Sequence, residues 1–182
     1  MSKTDLTIEG IFASLDAWRE ERGLQHTVGN IAANIGEEIV EYLRAENDEQ
    51  RVDALCDMFV FGVNGLRAMA GVSNFHIKIT LEHGGAQLCK VDVFTAIANN
   101  FSKLVASQTF AYYRGTLDSI VLYSKKQIEY FGYDFLIAMD ETLKEIHSRT
   151  GAWNDETQKW EKFKTEEAMA LWYKADYSKA KL

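Results

Sequence analysis

Asp57 limits how this chain can fold more than any other residue. It stands inside Ala54-Leu55-Cys56-Asp57-Met58-Phe59-Val60-Phe61-Gly62-Val63, whose other members are all apolar or glycine. A carboxylate buried without a partner is expensive, so a chain that places one in a core-forming run must supply a counter-charge, a proton or a metal ion. A second acidic group, Glu37-Glu38-Ile39-Val40-Glu41, lies just upstream. Together they point to a metal site between two helices.

Composition supports helices. The 182 residues contain no proline and only 12 glycines, which suits helices with short connections better than a sandwich or barrel. A hydrophobic fraction of 47% with 26% charged residues fits one soluble globular domain spanning 1–182. The net charge of −7 argues against a nucleic-acid polymer or an anionic membrane as partner, although divalent cations can bridge an acidic surface to phosphates. No apolar stretch approaches the roughly 18 residues of a membrane span, and Met1-Ser2-Lys3-Thr4-Asp5 lacks a signal-peptide core, so a cytoplasmic location is expected. Cys56 and Cys89 have no paired-cysteine spacing and read as reduced thiols.

Apolar periodicity divides the chain into helices. Leu6, Ile8, Ile11, Phe12, Leu15 and Trp18 mark a helix over 5–22 that ends at Arg22-Gly23. Val28, Ile31, Ala32, Ile35, Ile39 and Leu43 mark a second over 27–46, capped by Thr27. A third, over 48–70, is apolar almost all round from Val52 to Val63, which predicts a central position. The short connection makes the second and third helices an antiparallel hairpin. Phe75, Ile77, Ile79 and Leu81 alternate with polar residues, predicting a short strand or hairpin over 74–82. Helices are expected again at 92–106, 109–130 and 134–149, and the tail 152–182 mixes aromatic residues with lysines. The expected fold is an all-α bundle with the acidic hairpin at its centre.

On a helical wheel Asn30, Asn34, Glu38 and Glu41 form one strip, bordered by Glu37. Asp53, Asp57 and Asn64 form another, beside Val60 and Phe61. Oxygen ligands without histidine or thiolate suit Mg2+, or Mn2+, rather than zinc or copper. Plainer readings stand beside this one. A Glu-Glu-x-x-Glu pattern usually marks a solvated face, Asp57 can be paired with an arginine, and Asp53 suits a first-turn acid. A diiron oxidase is a poor fit, because His26, His76, His83 and His147 lack the Glu-x-x-His spacing.

Gly36-Glu37-Glu38-Ile39-Val40-Glu41 followed by Val52-Asp53-Ala54-Leu55-Cys56-Asp57 resembles the MazG-type all-α nucleoside triphosphate pyrophosphohydrolases, particularly small phage-type members. Their hallmark is Glu-x-x-Glu, a spacer, then Glu-x-x-Asp. Glu38 and Glu41 match the first half and Asp57 the last acid, whereas Ala54 occupies the usual glutamate position and Asp53 stands one residue earlier. Residues 140–151, 159–162 and 172–177 are similar to the carboxy-terminal part of the same relatives. The resemblance covers roughly 25–70 and 132–178, leaving 73–130 as an atypical insertion that reads as a helical hairpin for oligomer contacts.

The resemblance implies hydrolysis between the α and β phosphates of a nucleoside triphosphate, with a deoxynucleotide preference, in a homodimer or homotetramer. It implies metal binding by Glu38, Glu41 and Asp57, helped by Asp53, with Glu37 or Glu38 positioning the attacking water. Lys144, Arg149, Lys159, Lys162 and Lys174 are candidates for the outer phosphates, and Asn34, Phe61 and Asn64 for the base. The rival expectation is a noncatalytic helical interaction module in which the acids are surface or ion-pair residues.

Overall fold

Only three residues join the helix bearing Glu38 to the helix bearing Asp57, and the rest of the bundle is arranged around that short turn. The computed structural model describes residues 4–25, 27–69, 72–83, 93–106, 109–157 and 159–182. In chain order the elements are α1 Ile8–Glu21, α2 Val28–Arg44, α3 Asp48–Arg67, α4 Asn74–His83, α5 Val93–Val105, α6 Phe110–Tyr130, α7 Phe135–Ser148, β1 Gly151–Asn154, β2 Lys159–Lys162, α8 Glu166–Ala170 and a final 3-10 turn, Tyr177–Ala180. Among the described residues the fold is all-α apart from the antiparallel β1–β2 hairpin. Cys89 lies outside the described residues, while Cys56 is a buried free thiol. No described helix is long and apolar enough to cross a membrane.

Side-chain caps set the helix starts. Thr27 accepts from the Asn30 amide at 3.2 Å and Asn47 from the Gln50 amide at 3.0 Å, each satisfying a donor that has no intrahelical partner. Gly23 and Gly132 follow α1 and α6 with φ of 57° and 78°, backbone positions that disfavour any side chain.

The α2–α3 hairpin packs against a second pair, α5 and α6. Contacts run from α2 to α3, α3 to α6, α6 to α5 and α5 back to α2, closing a four-helix ring. A Cβ at Gly65 of α3 would lie 3.0 Å from Ile31 near the start of α2, which fixes the antiparallel sense of the hairpin. The α3–α6 pair is antiparallel too, since Gly62 faces Val121 and Gly65 faces Leu117. Residues 93–130 therefore supply half of the ring. Its interior holds Ile31, Ile35, Val52, Leu55, Phe59, Val63, Ile97, Leu117, Ile120 and Val121, all at most 1% exposed. Ridges of this kind interlock, and glycine lets the backbones approach.

Residues 74–82 form α4 and not a strand. Ile77 and Leu81, one helical turn apart, are both buried, so the alternation that suggests a strand also contains an i,i+4 apolar face. Ser73 accepts from the His76 amide at 3.3 Å, and Lys78 pairs with Glu82 at 3.6 Å along the exposed side. The hairpin occurs instead at β1–β2, where Gly151 pairs with Lys162 and Trp153 with Trp160.

The tail is fastened back onto α7. Glu141, 1% exposed, accepts from Lys144, the Asp176 amide, Lys179 and the Tyr173 hydroxyl. Burial alone would raise its pKa, but these donors outweigh it and bring it to about 2. Asp134 donates its amide to the Ala180 carbonyl at 2.7 Å, closing the same seam.

Gly62→Ala tests the close approach of α3 and α6. Helix propensity favours alanine by about 1 kcal/mol, yet the new Cβ would stand 2.5 Å from Val121 Cγ2. The clash should prevail, with a net loss of about 1–3 kcal/mol read from the denaturant midpoint. A stabilised variant would mean the helices are not in this contact.

Candidate functional site

The antiparallel hairpin brings acids of α2 and α3 within electrostatic range of one another. Glu38 is 8% exposed, and its Oε2 is buried without a hydrogen-bond partner. Burial, followed by the charges of Asp57, Glu41, Asp53 and Glu37, raises its pKa to about 8. Four neighbouring acids thus act electrostatically on this one carboxylate. Asp57, partly exposed as a residue, is raised to about 7 by burial and then by Asp53, with Arg149 and Lys162 opposing and Glu145 adding to the rise. Asp53 is raised as well, mainly by burial, against a 2.7 Å hydrogen bond donated by Tyr177.

A positive rim meets this cluster from the end of α7 and from β2. Arg149 donates to Glu145 Oε1 at 2.7 Å, and its guanidinium is further held charged by Asp57 and Asp53. Lys162 is solvent-exposed, and desolvation of its ammonium and repulsion from Arg149 lower its pKa. The β1–β2 hairpin thus carries a lysine back towards helices more than a hundred residues earlier.

The other candidates lie in varied places. Glu37 and Glu41 are exposed, the latter beside Glu38. Asn34 is partly buried on α2, and Phe61 packs against the core. Asn64 is completely buried, with neither amide atom paired. Lys144 is ion-paired with Asp140 at 2.8 Å and Glu141 at 2.9 Å, on the tail-fastening side of α7. Lys174 is exposed in the tail, and Lys159 lies in β2 with its side chain outside the described part.

Two participants escaped the sequence reading. Glu145 adds negative charge at Asp57 and Asp53 while accepting from Arg149 and the Ala175 amide. Its signal was present in the i,i+4 spacing of Glu141, Glu145 and Arg149 along one face of α7. Tyr177 carries no such signal, because its hydroxyl reaches Asp53 across 124 positions of sequence. Burial and the adjacent acids push its phenol far above the usual range, so it remains a donor.

Among the described residues, no three histidine, cysteine, aspartate or glutamate side chains stand close enough together to hold one ion as placed. The donors nevertheless suit a hard divalent cation. They are all carboxylates, they repel one another, and Glu38 Oε2 is a buried acceptor with no donor. No family model matches the chain, and no curated protein or solved structure matches it either.

The shifts make stability depend on pH. In the folded protein Glu38 and Asp57 hold protons up to about pH 8 and 7, whereas unfolded they release them near the usual 4.5 and 3.8. The folded state binds more protons through that interval, so these groups make the protein less stable as pH rises from about 4 to 8. Glu38→Gln should flatten this dependence and raise stability at pH 8 by roughly 1–3 kcal/mol in metal-free buffer. Equal denaturant midpoints for both proteins at pH 5 and pH 8 would show that Glu38 is not crowded by its neighbours.

Proposed function

We propose that this protein hydrolyses a nucleoside triphosphate, with a preference for deoxynucleotides, between the α and β phosphates to release the monophosphate and pyrophosphate. The observation that carries the reading is the electrostatic action of acids from α2 and α3 on one buried carboxylate, Glu38, with Arg149 and Lys162 acting on the neighbouring Asp57. The match of Glu38, Glu41 and Asp57 to the MazG-type pattern supports it. An acidic pocket cannot take a triphosphate unaided, since like charges would repel it. Glu38, Glu41 and Asp57, with Asp53 behind them, would hold Mg2+ or Mn2+. The ion, when bound, screens the phosphates and stabilises charge on the leaving group.

The remaining roles follow from this chain's own groups. Tyr177 fixes Asp53 from behind. Glu38, in the ionised form that a bound cation would favour, would take the proton from water as its oxygen attacks the α phosphorus. Glu37, exposed on the next position, is the alternative acceptor. As the new bond forms, the bond from the α phosphorus to the bridging oxygen breaks, and pyrophosphate leaves with the electron pair. Arg149 and Lys162, which act on Asp57, would offset the negative charge that gathers on it.

Pyrophosphate release from each dNTP and NTP with Mg2+ tests the proposal directly. Wild-type protein should turn over at least one of them, and Glu38→Gln and Asp57→Asn should each reduce the rate by about a hundredfold or more without changing the far-ultraviolet circular dichroism. Unimpaired variants would remove the site assignment. No turnover of any nucleotide by metal-loaded protein would favour the noncatalytic interaction module.

A further inference from the structure

We infer that the cavity between the end of α1, the end of α7 and the β1–β2 hairpin seats the base of the triphosphate, a conclusion that rests on the phosphohydrolase reading. The cavity measures about 690 Å3, and its walls include Arg22, His147, Arg149, Trp153, Trp160 and Phe163. That size falls in the range of small-molecule sites, roughly 300–1,000 Å3. Its walls combine flat aromatic faces with fixed cations, the chemistry that recognises an aromatic ring carrying an anionic chain.

Each wall has a distinct condition. Trp153 and Trp160 are direct cross-strand partners, so their rings project from the same face of the hairpin. Trp160 is already covered by Arg22, whose guanidinium lies 5.0 Å from the ring centroid. Arg22 is 8% exposed and is held by hydrogen bonds to Glu21 at 2.7 Å and to the Arg149 carbonyl at 3.3 Å. Trp153 is different. It packs near Gly23, 3.4 Å from where a Cβ would stand, yet remains 44% exposed, leaving a rigid ring open for stacking.

Arg149 makes this cavity part of the acidic site. It lines the cavity and also acts on Asp57 and Asp53. A base stacked on Trp153 would therefore lead its phosphate chain past Arg149 towards Glu38 and Asp57. The rival seat, at Asn64, has unpaired amide atoms but no exposed surface, and α2 and α6 close over the adjacent Gly65 through Ile31 and Leu117.

The test compares Trp153→Ala, Trp153→Phe and Asn64→Ala with wild type in full-length protein, using pyrophosphate release from the preferred triphosphate. Trp153→Ala should raise KM about tenfold or more with kcat within about twofold, and Trp153→Phe should restore most of the loss. Inorganic tripolyphosphate, which has no base, should inhibit wild type and Trp153→Ala equally. Wild-type turnover with an unchanged KM in Trp153→Ala, or a KM defect confined to Asn64→Ala, overturns the base seat and leaves the phosphohydrolase reading intact. Weakened tripolyphosphate inhibition in Trp153→Ala also overturns it, because the residue would then be holding the phosphate site. A wild-type protein that releases pyrophosphate from no triphosphate overturns both.

Discussion

Burial of carboxylates among other acids at the α2–α3 interface is the constraint on which the site depends. Glu38 sits almost out of solvent, and burial first, then the charges of Asp57, Glu41, Asp53 and Glu37, raise its pKa from the usual 4.5 to about 8. A bundle optimised only for stability would replace such a group with a leucine or pair it with an arginine. Instead the short α2–α3 turn and the ring closed by α5 and α6 hold these acids within electrostatic range of one another. Destabilising groups of this kind concentrate where a ligand supplies what the fold withholds.

Glu141 gives the contrast. It is even less exposed than Glu38, yet its pKa falls to about 2, because Tyr173, Lys144, the Asp176 amide and Lys179 donate to it. Burial acts on both carboxyls in the same direction, so burial alone does not separate them. The number of donors does. Glu141 is completed by the protein and serves to fasten the tail, whereas Glu38 keeps a buried oxygen with no donor and four acids around it. Glu141 is saturated with donors, and Glu38 is not.

The sequence showed much of the fold because its helices have clean local signals. Thr27 caps where expected, Gly23 and Gly132 take the left-handed turns, and the apolar girth of α3 predicted its central place. Residues 74–82 misled because four apolar residues at every second position also contain Ile77 and Leu81 one helical turn apart. A ten-residue window cannot choose between the two periods. The acidic strips and the Glu145–Arg149 spacing on α7 were readable from helical geometry, but the contacts that join α7 and the tail to the strips were not. The link from Tyr177 to Asp53 and the reach of Lys162 towards Asp57 depend on how the chain returns after α7, which no local pattern encodes.

The part of the chain least like any sequence pattern bears on the site through packing. Phe101 of α5 lies 3.1 Å from the point where a Cβ would project from Gly36, so α5 is seated against α2 immediately beside Glu37 and Glu38. On the other side, Val121 and Leu117 of α6 meet Gly62 and Gly65 of α3, one to two turns beyond Asp57. Each acid-bearing helix is thus braced by its own neighbour, and the braces contact one another. Two helices with only a three-residue turn between them would relieve repulsion between their acids by splaying apart. Helices α5 and α6 pack against both acid-bearing helices, and those contacts oppose such a movement.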